Sequence, residues 1–192
     1  MAVQEVRFYK RYNRALGPDH IILTFHLNDF QTTPVAFIDQ AGRLVVVAPQ
    51  RPLRPVNRWL YEHSHLHRLW LGITSGQDEG RIRFADEVRR SLEDLRDTAR
   101  ADGVALTVLV LPIMARTEDW RDEDRSRRTV VLGILADLGI RHFDLLPALL
   151  RALADGVEPG AGPGDGWHPS KRAAEYFAAF LHEQALLQPR AN

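Results

Sequence analysis

Runs of apolar residues alternate along the chain with amphipathic segments, and glycine or proline separates most of them. The apolar runs at 20–25, 104–112 and 140–145 contain many β-branched or aromatic residues, which predicts buried strands. Helical spacing of apolar residues is found at 3–16, 56–71, 81–101, 127–138 and 147–154, and in a last segment that Ser170 caps. Strands separated by helices of this length predict βαβ units, so we expect an α/β fold in three layers with a mostly parallel sheet.

Two short apolar stretches flank a glycine-containing turn between residues 35 and 47, which is the pattern of a β-hairpin. We interpret this hairpin as an insertion beside the main sheet. The chain has 192 residues, of which 45% are hydrophobic, enough for one sizeable core but too few for two ordinary domains. We therefore expect residues 1–192 to form a single domain that carries the hairpin at 35–47.

The charge balance argues against polyanionic partners. Lys plus Arg and Asp plus Glu number 25 each, so no net charge attracts nucleic acid or anionic lipid. No apolar run approaches the roughly 18 to 20 residues of a membrane-spanning helix, and the first residues lack the pattern of a secretory signal. With no cysteine the redox compartment is undetermined. A cytoplasmic location is expected if the chain is complete as given, whereas an export signal or anchor could lie upstream.

Candidate chemistry follows the first predicted strand, because reactive groups in parallel sheets gather at the carboxyl ends of the strands. Asn28 and Asp29 stand at this position. The amide of Asn28 could donate a hydrogen bond to an oxyanion. The alternative is that both residues only close a turn, since their side chains readily bond to their own backbone.

A second candidate is the sequence Asp165-Gly-Trp-His168-Pro169, just before the last predicted helix. An aspartate three residues before a histidine can bind one imidazole nitrogen and leave the other free as a general base. Taken alone, the pattern also fits a loop in which Asp165 caps the backbone and His168 is solvated.

Together, the two blocks resemble those of the SGNH (GDSL-type) hydrolase family, over nearly the whole chain from about Val3 to Leu187. Residues 21–29 resemble the family block that ends in Gly-x-Asn-Asp, and residues 165–169 resemble its Asp-x-x-His block. The resemblance implies a flavodoxin-like sheet and no metal or other cofactor. By the same resemblance, Asn28 is a side-chain oxyanion donor, His168 the general base and Asp165 the carboxylate that orients it.

The function implied is hydrolysis of acyl esters, such as O-acetyl groups of carbohydrates or lipid esters. The alternative is an inactive binding or scaffold protein that keeps the cleft without the nucleophile. The sequence departs from the family in having no Gly-Asp-Ser block, which carries the nucleophilic serine, and in having His26 where the third block has glycine.

A second family block, whose glycine is a further oxyanion donor through its backbone N–H, also has no clear counterpart in the sequence. In family order both missing blocks precede Met1, so we expect a chain that begins after them and lacks the first strand of the sheet. The strand that ends before Asn28 would then have an unpaired edge, which favours self-association.

Other residues have simpler interpretations. None of the five serines lies in a strand-to-helix elbow, and we expect Ser170 to be a helix cap; the others are Ser64, Ser75, Ser91 and Ser126. The histidines at 63, 65 and 67 could suggest a metal site, but we interpret them as a polar helix face. Trp120 lies in a charged run that is either a rim of the cleft, with the indole as a lid contact, or the surface start of a helix.

Overall fold

The computed structural model describes residues 2–30, 35–38, 44–47, 58–67 and 80–184. Its strands are β1 (His20–His26), β2 (Val35–Ile38), β3 (Leu44–Val47), β4 (Ala105–Leu111) and β5 (Arg141–Asp144). Its helices are α1 (Ala2–Phe8), α2 (Arg58–His63), α3 (Gly80–Ala101), α4 (Asp122–Asp137), α5 (Leu146–Ala154) and α6 (Lys171–Glu183). The chain divides into two compact units, which are Met1–Gly17 with Asn28–Leu95, and Pro18–Leu27 with Arg96–Asn192.

The second unit contains the main sheet, in which β1, β4 and β5 are parallel and lie in the order β1-β4-β5. His26 pairs with Leu111 and Val110 pairs with Asp144, so the three strands end at the same edge. The central strand, β4, is buried from Thr107 to Leu111, as its run of apolar residues, in which Thr107 is the one polar member, predicts. The predicted α/β class with a parallel sheet is confirmed.

The helices of the second unit bury one face each. Val131 and Leu135 of α4 and Leu149 of α5 have no exposed surface. At the end of β5, Asp144 forms an ion pair with Arg128 of α4 and accepts a hydrogen bond from the backbone N–H of Leu146 at 3.1 Å. That carboxylate therefore joins the end of the strand to two helices.

The first unit begins with α1, which continues through a π-helical turn (Tyr9–Asn13) and a 3-10 turn (Arg14–Leu16). Lys10 forms an ion pair with Asp94 of α3 at 2.5 Å. Strands β2 and β3 pair antiparallel, with Val35 opposite Val47, in the segment where the sequence predicts a hairpin. That the hairpin is an insertion, and that residues 1–192 form one domain, stay predictions.

The predicted start of α4 at residue 127 is wrong, because the helix begins at Asp122. Its first turn contains Asp122, Glu123 and Asp124, and acidic side chains there interact favourably with the partial positive charge of a helix N-terminus. Arg121 also donates to the carboxylate of Asp124 at 2.9 Å. The turn of the predicted hairpin, at 39–43, lies outside the described residues, and so do the two ends of the predicted helix 56–71, at 56–57 and 68–71. Within the described ranges, no helix has the length and apolar character needed to cross a membrane.

Candidate active site

The carboxyl ends of β1, β4 and β5 are followed by Leu27, Pro112 and Leu145. The segment with the Asp-x-x-His pattern is held to this edge of the sheet, because the backbone N–H of Met114, three residues after β4, donates to the carbonyl of Gly166 at 2.9 Å. The fold thus places Asp165 and His168 at the edge where parallel sheets carry their reactive groups.

Asp165 and His168 form the hydrogen-bonded pair that the sequence predicts. The Nδ1 atom of His168 lies 3.0 Å from Oδ2 and 3.2 Å from Oδ1 of Asp165. Since a carboxylate only accepts, Nδ1 carries the hydrogen in this pair, which in the neutral imidazole leaves Nε2 with a lone pair. The His168 side chain is 74% exposed, so Nε2 is accessible to a substrate.

Backbone N–H groups of neighbouring residues hold the Asp165 carboxylate in place. Its Oδ1 accepts from the N–H groups of Trp167 at 2.9 Å and His168 at 3.0 Å. These two bonds, with the bond from the His168 ring after them, lower the pKa of Asp165 below its ordinary value. The carboxylate is therefore ionised at neutral pH and oriented towards the imidazole.

The loop that presents this pair closes on itself. Ala161 donates its N–H to the carbonyl of His168 at 2.9 Å, and Gly160 forms an isolated bridge with Pro169. A Cβ on Gly160 would lie 2.3 Å from the carbonyl oxygen of Asp165, so only glycine fits beside the Asp165 backbone.

Ser170 is the helix cap that the sequence predicts. Its Oγ accepts from the N–H of Ala173 at 3.1 Å and donates to the carbonyl of Glu158 at 2.7 Å. Ser91 similarly donates to the carbonyl of Glu87, within α3, and is buried. Ser75 lies outside the described residues.

Asn28 lies in a 3-10 turn, Leu27–Phe30, which begins directly after β1, and its side chain is partly buried. Asn28 belongs to the first compact unit, whereas Asp165 and His168 belong to the second. Its role as oxyanion donor therefore stays a prediction. The neighbouring residue, Asp29, is buried. The pKa of Glu5 is raised, first by burial of its own carboxyl group and second by the negative charge of Asp29.

The other polar residues singled out from the sequence have local partners. The Nδ1 atom of His63 lies 2.9 Å from the carbonyl oxygen of Trp59, one turn earlier, and the two rings stack. In the described part of the chain, no group of three or more His, Asp or Glu residues is placed to hold a metal ion. The Trp120 side chain is buried and donates to the carbonyl of Ala115, which favours a packing role over a lid.

Sequence reasoning missed a cavity of about 330 Å³ in the second unit, which Asp165 helps to line. Its walls come from the segment after β4 and from the glycine- and proline-rich loop at 156–166. The glycine and proline content of this loop predicts irregular structure, but it does not predict which residues the loop contacts.

Taken together, the fold and this site define an α/β protein with an exposed, carboxylate-oriented histidine at the carboxyl edge of a parallel sheet. No protein-family model matches the sequence, and no curated protein matches it either.

Solved structures do match. A catalytic variant of an acetylxylan esterase from Geobacillus stearothermophilus has a TM-score of 0.54 at 15% identity, covering 98% of this chain and 70% of that one. A second structure, of a variant acetyl-xylooligosaccharide esterase from the same organism, has a TM-score of 0.55 at 16% identity, with coverages of 99% and 70%. The chain therefore shares the fold of these esterases.

Proposed function

We propose that this chain belongs to an ester hydrolase of the SGNH type that acts on acyl esters, and in particular on O-acetyl groups of carbohydrates. The observation that carries the proposal is the Asp165–His168 pair at the carboxyl edge of the sheet. The fold shared with an acetylxylan esterase supports both the reaction class and the carbohydrate ester.

In the proposed mechanism, the Nε2 atom of His168 accepts the proton of an attacking hydroxyl group as that oxygen bonds to the ester carbonyl. Asp165 keeps the imidazole in the required tautomer and stabilises the imidazolium that forms. The amide of Asn28 donates to the oxyanion, an interaction that contributes on the order of 3 kcal/mol in such sites. His168 then returns the proton to the leaving alkoxide. The departure of the alcohol leaves the acyl group on the attacking oxygen, and a water molecule that His168 deprotonates in the same way then releases the acid.

The attacking serine is expected outside these 192 residues. The sequence contains no Gly-Asp-Ser, and the hydroxyl of Ser170, close to His168 in sequence, is engaged at the helix cap.

That same lack of a Gly-Asp-Ser block favours a second candidate function. In this alternative the chain is an inactive binding or scaffold protein that retains the Asp–His loop.

The test compares two proteins, which are the chain as given and the longest in-frame product of the gene. Hydrolysis of 4-nitrophenyl acetate and of an acetylated xylo-oligosaccharide is measured, and active serines are labelled with a fluorophosphonate. We expect hydrolysis and labelling to require an encoded Gly-Asp-Ser, and His168→Ala to lower activity by on the order of 10⁶-fold, as loss of the histidine of a triad does.

The matched control is His182→Ala, which removes an exposed histidine from α6 and should leave the rate unchanged. Full activity of His168→Ala would refute the assignment of the base. A stop codon directly upstream of Met1, with no hydrolysis, would favour the inactive binding protein. Labelling of Ser170 would contradict its role as a cap.

A further inference from the structure

The cavity beside the Asp165–His168 pair lies wholly within the second unit. One side consists of residues 114–116 and Asp119, which follow β4, and the other of residues 153–166, which include Asp165. His168 does not line the cavity, whereas Asp165, whose carboxylate binds the imidazole, does. Its volume of about 330 Å³ lies at the lower end of the range for small-molecule sites, roughly 300 to 1,000 Å³. There is room for one small ring.

Besides Asp165, three charged side chains line this cavity: Arg116, Asp119 and Glu158. Within the described part of the chain, none of the three has an ion-pair or hydrogen-bond partner for its charged group. This is unlike the Asp165 carboxylate, which is fully engaged by the backbone and by His168. The cavity therefore presents unused donors and unused acceptors together.

This combination selects the chemistry of a ligand. A guanidinium only donates hydrogen bonds and a carboxylate only accepts them, whereas a hydroxyl group does both. Three carboxylates against one guanidinium repel an anion, and a cation offers no acceptor for the N–H groups of the guanidinium. Met114, Leu153, Val157 and Pro159 add an apolar surface that suits the C–H face of a saturated ring. A neutral polyhydroxylated ring satisfies both parts of the wall.

We propose that the cavity is a binding site for one neutral sugar unit, held by Arg116, Asp119 and Glu158 next to the Asp165–His168 pair. This inference rests on the proposed ester hydrolysis, and it states where the alcohol part of the ester substrate binds. The sugar that carries the acyl group lies at Nε2 of His168, and the neighbouring unit occupies the cavity. The site therefore selects uncharged carbohydrate esters over acidic ones.

Met114 provides a direct reporter of occupancy. The chain contains two methionines, Met1 and Met114, and Met114 lines the cavity. With ¹³C-labelled methionine methyl groups, the NMR spectrum has two signals, which Met114→Leu assigns. Titration with methyl β-D-glucopyranoside should shift the Met114 signal saturably, with a Kd in the millimolar range. The matching glucuronide, which adds a carboxylate to the same ring, and choline, a cation, should bind more weakly.

Variants distinguish binding in the cavity from binding elsewhere on the surface. Arg116→Ala and Glu158→Gln should each weaken glucoside binding by about tenfold, since each removes a hydrogen bond to a charged group. Arg172→Ala removes an exposed arginine from α6, outside the cavity, and should leave binding unchanged. The proposal is overturned if the Met114 signal does not shift saturably, if Arg116→Ala binds as the wild type does, or if the glucuronide or choline binds more tightly.

This measurement needs no catalysis, so it separates the two proposals. Saturable glucoside binding without ester hydrolysis would support the sugar site and leave the proposed function to fail on its own test. Hydrolysis of 4-nitrophenyl acetate without glucoside binding would support the hydrolase and overturn the sugar site.

Discussion

Replacement of Gly160 by alanine should disturb the Asp165–His168 pair without touching either side chain. The added Cβ would lie 2.3 Å from the carbonyl oxygen of Asp165, and 3.4 Å from the carbonyl oxygen of Gly162. The close neighbour is backbone rather than the end of a flexible side chain, so it cannot rotate away. The loop must move, and Asp165 moves with it.

The size of the effect follows from that distance. Ordinary contact begins at 3.4 Å, so the two atoms must separate by about 1.1 Å. Overpacking of this kind costs about 1 to 3 kcal/mol, which for a chain of this length lowers Tm by roughly 2 to 12 °C. A displacement of about 1 Å in a catalytic group can lower activity by about 100-fold.

The assay combines thermal unfolding with ¹⁵N NMR of the imidazole. In the wild type the Nδ1 atom of His168 is protonated and bonded to Asp165, so one tautomer should dominate at high pH. In Gly160→Ala we expect a lower Tm and a mixture of tautomers. The control is Gly162→Ala, because a Cβ there meets no atom within 4 Å. That variant should change stability by less than about 1 kcal/mol.

The reasoning fails if Gly160→Ala melts like the wild type and keeps the His168 tautomer. It also fails if Gly162→Ala perturbs the histidine equally, because the close approach at Gly160 would then not be the cause.

Two further predictions concern the same loop. Ser170→Ala removes the cap on α6 and should cost about 1 kcal/mol in urea unfolding, while any ester hydrolysis continues; loss of hydrolysis at unchanged stability would contradict the cap. The pKa of Asp165 is lowered on folding, so the stability it contributes is present above its ordinary value of 3.8 and lost as the pH falls through the folded-state pKa. Tm measured from pH 7 downwards should therefore fall less steeply below that value in Asp165→Asn, and equal slopes would show that this carboxylate is not the group titrating.

Local patterns in the sequence predict the elements of the main sheet well. The apolar run at 104–112 predicts a strand covered on both faces, and residues 105–111 of it form the central strand β4. The start of α4 was predicted too late, at residue 127, although the surface start of a helix was one of the two interpretations of the charged run before it. Asp122, Glu123 and Asp124 fit a solvated loop as well as a first helical turn, and the structure shows the helical turn. Acidic side chains are common in both settings, and only the backbone geometry distinguishes them.

Of the candidate site, too, one part could be predicted from the sequence and another could not. Asp165 and His168 are three residues apart, so their pairing depends on local geometry, and the sequence alone was enough to predict it. The cavity was beyond sequence reasoning, because it brings Arg116 and Asp119 next to residues about forty positions later in the chain. The need for glycine at position 160 was also not predicted, although it arises within one loop, because it depends on how the backbone of Asp165 folds back onto that glycine. Periodicity and short motifs record contacts along one element, whereas tertiary packing decides which loops meet and what space they enclose.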